Sequence, residues 1–281
     1  MSKRFILNAD DFGMSVAYND AVLEGYAKGI LKSASICANG EYFDDAVKRV
    51  IPNAENLSVG VHLNIIEGKS LTNCPLLTDK GGTFSNGYIS MILKSYNKDF
   101  LVQVENEFRA QIERAKDNIR IDHIDSHVHT HAIPNIFRIT AKLAKEYNIP
   151  YIRTQYEKFY IVPYLHKHLN MKYPPNILKI ILLNTFTMLN RPVVKEYGLR
   201  TNDYLIGVGY TGMMDDITLY GGLKAIQKVS VTEALIHPCK YQEIINDSHH
   251  YEYLLTQNDK LKSDITNNLG FDITNHSFEE G

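Results

Sequence analysis

The sequence predicts an α/β protein in which helices cover a parallel sheet. Short apolar runs of strand length alternate along the chain with amphipathic runs of helical spacing. Polar residues cluster directly after several of these strands, where parallel α/β folds place their sites. Roughly seven strand–helix units favour a barrel, irregular or incomplete, although periodicity does not distinguish a barrel from an open doubly wound sheet.

The strands are predicted from short apolar runs. They cover residues 4–9, 31–38, 57–65, 119–128, 151–154, 204–208 and 231–236. The helices are predicted from apolar residues that recur every three or four positions. They cover residues 15–28, 43–50, 100–115, 134–147, 177–189 and 219–229. Ser15 caps the first helix and Gly29 stops it, Pro52 ends the second, and Pro134 starts the fourth.

The domain organisation is predicted to be simple. The sequence contains no linker rich in Gly, Ser or Pro and no internal repeat. One domain over residues 1–281 is therefore expected, with its motifs between about 4 and 240. Residues 155–200 form an insertion around one helix, and residues 241–281 form a C-terminal extension.

Composition excludes several classes of protein. The 281 residues carry a formal net charge of −2, which argues against a nucleic-acid partner. The apolar run near the N-terminus is too short for a signal peptide, and residues 177–189 fall short of the ~20 apolar residues of a membrane span. Cys37, Cys74 and Cys239 are odd in number and widely spaced, and Cys239 is interpreted as a small buried residue. A cytoplasmic protein without a membrane partner is expected.

The densest group of candidate metal ligands lies at the end of the fourth predicted strand. Alternate residues place His123, Asp125, His127, His129 and His131 on one strand face. Such a face suits Zn, Mn, Fe, Co or Ni. Each histidine considered singly is as readily explained as a buried structural residue, but the group favours a metal site.

Asp10 and Asp11 directly follow the first strand. One could bind a metal and the other accept a proton, because adjacent carboxylates raise each other's pKa unless a cation separates them. The alternative is an ordinary turn, in which Asp is common. Phe12 and Gly13 complete a kinase-like Asp-Phe-Gly triplet, but no glycine-rich loop precedes it.

Three further candidates stand at or near strand ends. His62 shares a strand face with Asn64, although a lone strand histidine is usually structural. His237 precedes Pro238 and could act as a general acid towards a leaving amine, or simply end its strand. Arg153 could orient a carboxylate or bind an anionic group, unless it is solvated like most arginines.

Four motifs together resemble the YdjC-like carbohydrate deacetylase family, which includes the chitooligosaccharide deacetylases. The motifs are Leu-Asn-Ala-Asp-Asp-Phe-Gly at 7–13, Gly-Val-His-Leu at 60–63, Asp-Ser-His-Val-His-Thr-His at 125–131 and Ile-His-Pro at 236–238. They occur in the family's order and at similar spacing. The resemblance implies an irregular (β/α) barrel of the polysaccharide-deacetylase, NodB-like type.

The resemblance also implies a site for one divalent metal ion. The family's ligands correspond to Asp11, His62 and His127, its proposed base to Asp10 and its proposed acid to His237. The family's metal is usually written as magnesium and sometimes as zinc. Because magnesium prefers oxygen ligands, the donor set itself favours Zn, Co or Ni. His129 and His131 are then expected to lie behind the ligands or to face the substrate, and the role of His123 stays open.

The implied reaction removes the N-acetyl group of a small N-acetylglucosamine-containing oligosaccharide, chitobiose-like and with or without a 6-phosphate. Asp10 accepts a proton from the attacking water, His237 protonates the departing amine, and acetate is released. Arg153 also fits the family pattern. The family's members often form dimers, so a homodimer is expected.

Substrate specificity is expected from the loops at 66–96 and 155–200, which would rim the barrel mouth. Since the chain has no Trp, any platform for a sugar ring must be Tyr or Phe. The candidate tyrosines, which packing explains equally well, are Tyr88, Tyr96, Tyr156, Tyr160 and Tyr164. Lys69, Arg153 and Lys158 are candidates for contact with a sugar phosphate.

Two other functions fit parts of the sequence. A different metal-dependent amidohydrolase or phosphoesterase would share the His127-x-His129 pair, but such barrels normally carry that pair on the first strand, where this chain has Asp10 and Asp11. A non-catalytic metal- or sugar-binding relative would retain the ligands without the chemistry. An Asp10→Asn variant separates this possibility from an enzyme.

Overall fold

Eight strands form one sheet, in which every strand pair is parallel, in the computed structural model of residues 2–168, 171, 173–241 and 247–278. The strands are β1 (Lys3–Phe12), β2 (Ser33–Ile36), β3 (Ser58–Leu63), β4 (His123–Ser126), β5 (Tyr151–Ile152), β6 (Tyr204–Ile206), β7 (Val231–Ile236) and β8 (Phe271–Thr274). Their order is β5-β4-β3-β2-β1-β7-β6, and β8 also pairs with β1. In this order, each strand in the series β1 to β5 lies next to its predecessor in one direction, and β6, β7 and β1 follow one another in the same direction. A doubly wound sheet reverses this direction at one strand, so that alternative is wrong.

Helices connect the strands and cover the outside of the sheet. They are α1 (Val16–Ala27), α2 (Phe43–Asp45), α3 (Tyr88–Lys94), α4 (Lys98–Lys116), α5 (Pro134–Glu146), α6 (Tyr173–Tyr197), α7 (Asp216–Ala225), α8 (Ser248–Thr256) and α9 (Asp259–Ser263). Ser15 caps α1 by accepting a hydrogen bond from the Tyr18 N–H at 3.2 Å, and Gly29 takes the left-handed conformation just after the helix. Both predicted signals of this helix are confirmed.

The side chain of Asn202 and a few backbone hydrogen bonds, rather than a regular strand ladder, join the two ends of the sheet. Asn202 accepts a hydrogen bond from the Thr154 N–H at 2.8 Å and donates one to the Thr154 carbonyl at 2.7 Å. On either side of Thr154 in the sequence, the Leu205 N–H donates to the Tyr156 carbonyl and the Ile152 N–H donates to the Arg200 carbonyl. The sheet therefore curls into an irregular, incomplete barrel, which confirms the expected fold class.

One edge of β1 is shared by two partners. Residues Lys3 to Ile6 pair with β8, and from Asn8 onward the same strand pairs with β2. The other edge pairs with β7 from Arg4 to Ala9. The residues of β8 lie in the region predicted only as a C-terminal extension, so this region contributes a strand to the barrel.

The inside of the barrel is polar, and the apolar core lies between the sheet and the helices. Along β1, Phe5 and Leu7 belong to the apolar core, whereas Asn8 and Asp10 hydrogen-bond to polar partners from other strands. This is the two-residue alternation of a strand buried on both faces. The interior of the barrel can therefore carry charged groups to the strand ends.

Helix α6 is longer than the predicted helix over residues 177–189. It spans Tyr173–Tyr197 and contains Pro192. By length and composition it is apolar enough to cross a membrane, and 39% of its most apolar window is buried in the structure. One face packs inward through Ile180, Leu183 and Thr187, and the helix contacts α5.

Candidate functional site

The predicted site residues meet at one end of the barrel. Asp11 lies near the end of β1, His62 near the end of β3, His127 directly after β4 and His237 directly after β7. Because all these strands are parallel, their carboxyl ends lie at the same edge of the sheet. The structure thus brings together residues that are far apart in the sequence.

A bulge in β1 lets Asp10 and Asp11 both reach this site. The pairing of β1 with β2 slips between Ala9 and Phe12, so that three steps on β1 face two on β2. Asp11 adopts a left-handed φ of 63° at this bulge. In a regular strand two consecutive side chains would point to opposite faces. The bulge removes this alternation locally, so the adjacent carboxylates can face the same site.

The turn after β4 changes the predicted arrangement of the histidines. Strand β4 ends at Ser126, and a short 3-10 segment follows in which Val128 and His129 both have left-handed backbone angles. The two-residue alternation predicted as far as His131 is therefore wrong beyond the strand. Left-handed backbone in a β-branched residue such as Val128 is costly, and such strain is often found next to functional groups.

Asp11, His62 and His127 form a cluster that could hold a metal ion. One potential ligand atom from each lies within 4.8 Å of the others. Asp11 Oδ1 is 2.8 Å from His127 Nδ1 and 3.4 Å from His62 Nε2. Burial raises the pKa of the Asp11 carboxyl, but hydrogen bonds to His127 and His62 outweigh it and hold that pKa well below its usual range.

Asp125 fixes the direction of His62. Its Oδ1 accepts a hydrogen bond from His62 Nδ1 at 2.7 Å, which leaves Nε2 facing Asp11. A carboxylate behind a ligating histidine is the usual support of a metal site. Burial lowers the pKa of His62, but the charges of Asp125 and Asp10 outweigh it and raise the pKa to about 10.

Arg153 links Asp10 to the interior of the barrel. Its Nη1 and Nη2 donate to the two oxygens of Asp10 at 2.7 and 2.8 Å, and Nη2 also lies 2.7 Å from Asp125 Oδ2. Its Nε donates to Glu233 Oε1 at 2.6 Å. Arg153 is 1% exposed, so the prediction that it orients a carboxylate agrees with its contacts and the solvated alternative is wrong.

The charges of this region favour a bound cation. Asp10, Asp11, Asp125 and Glu233 are all buried, and Arg153 contacts three of these four carboxylates. Buried charges are stable only when they are paired or coordinate metals. The fourth, Asp11, contacts the imidazoles of His62 and His127, and in both of these residues burial lowers the pKa but the neighbouring carboxylates outweigh it and raise the pKa. A divalent ion held by these three residues would take the place of the imidazole protons, so the residues present fit the implied metal.

His237 lies across the site from these groups and is backed by Glu252 of α8. The Glu252 carboxylate accepts a hydrogen bond from the His237 backbone N–H, and its Oε2 is 3.3 Å from His237 Nδ1. Burial lowers the pKa of His237, but Glu252, Asp11 and Asp10 outweigh it and raise the pKa to about 9. The imidazole is therefore protonated at neutral pH.

His131 lies behind the site, and His129 is buried on the turn that carries His127. His131 Nε2 is 2.9 Å from the Arg153 carbonyl, and its Nδ1 contacts the Ser126 hydroxyl. Burial lowers the pKa of His131 to about 4 and holds the pKa of His129 well below its usual range. Both imidazoles are therefore neutral at pH 7.

His123 lies away from the metal cluster, deeper in the barrel. Its Nδ1 contacts Asp122 at 2.7 Å and its ring stacks on His276 with centroids 3.6 Å apart. The ring lies over Gly60, where any Cβ would overlap it. Gly60 is therefore required for the packing of the His123 ring, and this requirement becomes visible only when the two strands are paired.

The loops differ in how closely they approach the site. Glu67, in the 66–96 loop, lies 3.4 Å from His127 Nε2, and the Tyr88 hydroxyl donates to the His129 carbonyl at 3.4 Å. Lys69 is exposed on the same loop. By contrast, Lys158 donates to the Ala225 carbonyl at the end of α7.

The other candidate tyrosines are placed as follows. Tyr156 packs against Tyr204 and Tyr160 against Tyr210, which agrees with the packing interpretation of these two residues. Tyr96 and Tyr164 are exposed. Among the described residues, Tyr88 is the candidate tyrosine that bonds to the turn that carries His127.

Sequence reasoning missed three residues: Glu233, which contacts Arg153, Glu252, which contacts His237, and His276, which lies against Glu233. Glu233 lies within β7 and is 0% exposed. The apolar residues around it in the sequence do not indicate which charged residue it pairs with. Glu252 and His276 lie in the supposed C-terminal extension. A glutamate inside an apolar strand is a weak sequence signal of a buried ion pair, since charged residues are almost never buried unpaired. This signal could have identified Glu233.

Comparisons with known proteins support the family resemblance found in the sequence. The family model described as YdjC-like protein matches residues 4–266. A carbohydrate deacetylase of Clostridium beijerinckii is 37% identical over 148 residues, which are 52% of this chain and 58% of the relative. A carbohydrate deacetylase of Geobacillus stearothermophilus is 32% identical over 151 residues, which are 53% of this chain and 59% of the relative.

A solved structure from Enterococcus faecalis, provisionally named as a cellobiose-phosphate cleavage protein, has the same fold. It aligns over 98% of both chains with a TM-score of 0.75 and 23% identity. The sequence alignments with the two deacetylases, by contrast, span little more than half of each relative. The match of the family model over most of the chain carries the assignment: the chain belongs to the YdjC-like family.

Proposed function

We propose that this protein is a metal-dependent hydrolase that removes an N-acetyl group from a small N-acetylglucosamine-containing oligosaccharide and releases acetate. The supporting observation is the placement of a clamped carboxylate, Asp10, directly beside the Asp11, His62 and His127 cluster. The names of the related carbohydrate deacetylases agree with this proposal.

Asp11, His62 and His127 would hold the divalent ion. When bound, such an ion acidifies water and polarises the amide carbonyl. Two of the three donors are imidazole nitrogens, and magnesium prefers oxygen. We therefore expect Zn, Co or Ni to support the reaction better than Mg.

Asp10 is the proposed general base. Arg153 holds both carboxylate oxygens, and Asn8 Nδ2 donates to Oδ1 at 2.8 Å, so the carboxylate cannot rotate. It lies next to Asp11 at the bulge, where an attacking water would be positioned close to the metal ligands. A fixed carboxylate beside the water can take its proton as the water attacks the acetyl carbonyl.

His237 is the proposed general acid. Its imidazole is protonated at neutral pH because of Glu252 and the nearby aspartates. It approaches the site from β7, whereas Asp10 approaches from β1, so acid and base come from neighbouring strands. The proton on His237 would pass to the departing sugar amine, which cannot leave as an anion.

The substrate is proposed to be chitobiose-like, with or without a 6-phosphate. Glu67 and Tyr88 bring the 66–96 loop against the turn that carries His127, so this loop would contact the sugar. Lys69, exposed on the same loop, is the better placed of the lysine candidates for a phosphate. A cytoplasmic location and a homodimer are part of this proposal.

The test is acetate release from N,N′-diacetylchitobiose and its 6-phosphate. Metal-free protein is loaded in turn with Zn, Co, Ni and Mg. Asp10→Asn is expected to lose about 10²- to 10⁴-fold in kcat while it still binds metal, and His62→Ala is expected to lose metal binding. Glu55→Gln, a change of an exposed residue, serves as the control.

Each contrary outcome points to a different function. Acetate release by Asp10→Asn at the wild-type rate would exclude its role as base. Phosphate release from simple phosphate esters without acetate release would favour a phosphoesterase. Metal binding without either activity would indicate a binding protein. Highest activity with magnesium alone would contradict the expected metal preference.

A further inference from the structure

We infer that His276, at the opposite end of the barrel from the site, positions the proposed base Asp10 through Glu233 and Arg153. The inference rests on the proposed function in so far as Asp10 is the base. The contacts that carry it form a continuous buried chain through the middle of the barrel.

The His276 ring is fixed on three sides. It is 0% exposed, it stacks on His123 with centroids 3.6 Å apart, and it packs against the Tyr151 ring at 4.5 Å. The Ser33 hydroxyl lies 2.7 Å from Nδ1. The ring therefore has one orientation, with Nε2 directed away from Ser33.

The remaining nitrogen of His276 faces Glu233. Burial lowers the pKa of His276, so the ring is neutral. The Ser33 hydroxyl lies 2.7 Å from Nδ1 and 3.5 Å from the Ser58 carbonyl, so its proton goes to the nearer acceptor, Nδ1, and the ring proton is on Nε2. Nε2 has no hydrogen bond among the described residues. Glu233 Oε2, at 3.3 Å, is the acceptor that this N–H faces. The Tyr151 hydroxyl donates to the same oxygen at 3.3 Å, so His276 and Tyr151 together define its position.

Glu233 is linked to Asp10 through the guanidinium of Arg153. Its Oε1 accepts from Arg153 Nε at 2.6 Å, and the other end of the same planar guanidinium holds Asp10. A guanidinium is rigid, so a rotation at Nε moves both terminal nitrogens. A displaced Glu233 would therefore displace the carboxylate of Asp10.

The geometry does not suit a second metal here. Asp122, His123 and His276 have potential ligand atoms within 4.8 Å of one another. However, the two imidazole rings are stacked with only 19° between their planes. Their nitrogen lone pairs lie in these nearly parallel planes and do not converge on one ion, so a positioning role explains the cluster better.

Residues 275–278 hold His276 in place. Ser277 Oγ donates to Asp122 Oδ2 at 2.8 Å, and Arg200 donates to the His276 carbonyl at 3.0 Å. The Phe278 ring lies under the guanidinium groups of Arg4 and Arg200, at 4.4 and 5.0 Å. The segment thus closes the lower end of the barrel and supports the site above it.

Two matched substitutions test this role. His276→Asn retains a polar atom near Ser33 but has nothing at the position of Nε2, whereas His276→Gln can place an N–H near Glu233. Both lose the ring that stacks on His123. We expect His276→Asn to lower kcat about ten-fold or more, with KM and metal affinity unchanged, and His276→Gln to retain most of the wild-type kcat. Asp272→Asn, a change of an exposed side chain in β8, is the control.

A second measurement does not depend on activity. The Nε–H signal of Arg153 in a proton–nitrogen NMR spectrum reports its bond to Glu233, and it can be assigned by its loss in Arg153→Lys. The signal is expected to shift or broaden in His276→Asn and to stay near its wild-type position in His276→Gln. Thermal melting shows that each variant is folded.

Equal kcat in the Asn and Gln variants, or an unchanged Arg153 signal in His276→Asn, would overturn the inference. If the wild-type protein releases no acetate from any acetylated sugar, the proposed function fails, and the NMR comparison alone decides whether His276 positions Arg153. If the wild type is active and His276→Asn is as active, the proposed function stands and the inference fails.

Discussion

Asp125 Oδ1 lies 2.7 Å from His62 Nδ1, and the opposite nitrogen of the same ring lies 3.4 Å from Asp11. The imidazole is thus held between a supporting carboxylate and the cluster that could hold a metal. Support of this kind fixes both the tautomer and the direction of a ligand.

Asp125→Asn is expected to weaken metal binding by roughly 10- to 100-fold, because His62 loses the carboxylate that orients it. Titration calorimetry with the metal-free protein measures the effect. Asp122→Asn is the matched control, since Asp122 also lies 2.7 Å from a histidine Nδ1, on His123, but away from the cluster. Equal metal affinity in Asp125→Asn and wild type would contradict the supporting role of Asp125.

Glu252→Gln is expected to move the alkaline limb of the pH–activity profile to lower pH. His237 must be protonated to act as an acid, so activity falls as the pH rises through its pKa, which Glu252 helps to raise to about 9. Removing the Glu252 charge lowers this pKa. A bound metal ion would lower it in both proteins, so the difference between the two profiles is the quantity to measure. An unmoved limb would show that another group sets it.

Arg153→Met is expected to destabilise the fold by about 3–5 kcal/mol, because it leaves three buried carboxylates without their cation. Urea unfolding measures the change. Arg138→Met is the comparison, since its ion pair with Glu196 is half exposed and is worth about 1 kcal/mol or less. A similar small loss for both variants would mean that the interior network is not held by Arg153.

Glu157 gives the fold a dependence on pH. Burial raises its pKa to about 7, although it accepts hydrogen bonds from the Val208 and Gly209 N–H groups. Because the pKa of Glu157 is higher in the folded state, the folded state binds this proton more tightly than the unfolded state does. The contribution of the proton to the free energy of unfolding is therefore complete below the ordinary pKa of a glutamate and is lost as the pH rises to about 7.

Glu157→Gln is expected to reduce this dependence. The fall in unfolding free energy between pH 5 and pH 8 should be smaller in the variant, by at most about 3 kcal/mol. Urea unfolding at the two pH values, with Glu55→Gln as an exposed control, measures it. Parallel curves for Glu157→Gln and wild type would show that Glu157 is ionised throughout.

Much of the architecture was predictable because it depends on local patterns. Ser15 and Gly29 mark the limits of α1, and the alternation of strands and helices requires a parallel sheet. Strand β7 has the predicted limits, Val231 to Ile236. These features follow from backbone sterics and from hydrophobic periodicity, which neighbouring residues alone determine.

The arrangement of the site depends on features that no local pattern contains. Period-two alternation would place His129 beside His127, but both Val128 and His129 turn into left-handed backbone. Asp10 and Asp11 both reach the same end of the barrel because of a bulge, and that bulge depends on the pairing with β2. Glu233 and His276 acquire their partners through contacts between strands and segments far apart in the chain.

The sharing of one edge of β1 between β2 and β8 has a consequence for biosynthesis. Strand β1 emerges from the ribosome well before β7 and β8, at residues 231–236 and 271–274, which are needed to complete its pairing. At ordinary rates of translation, this leaves a hydrophobic strand with open edges for on the order of ten seconds or more. Nascent chains of this protein should therefore depend on chaperones that bind extended apolar segments, and N-terminal fragments should aggregate rather than fold.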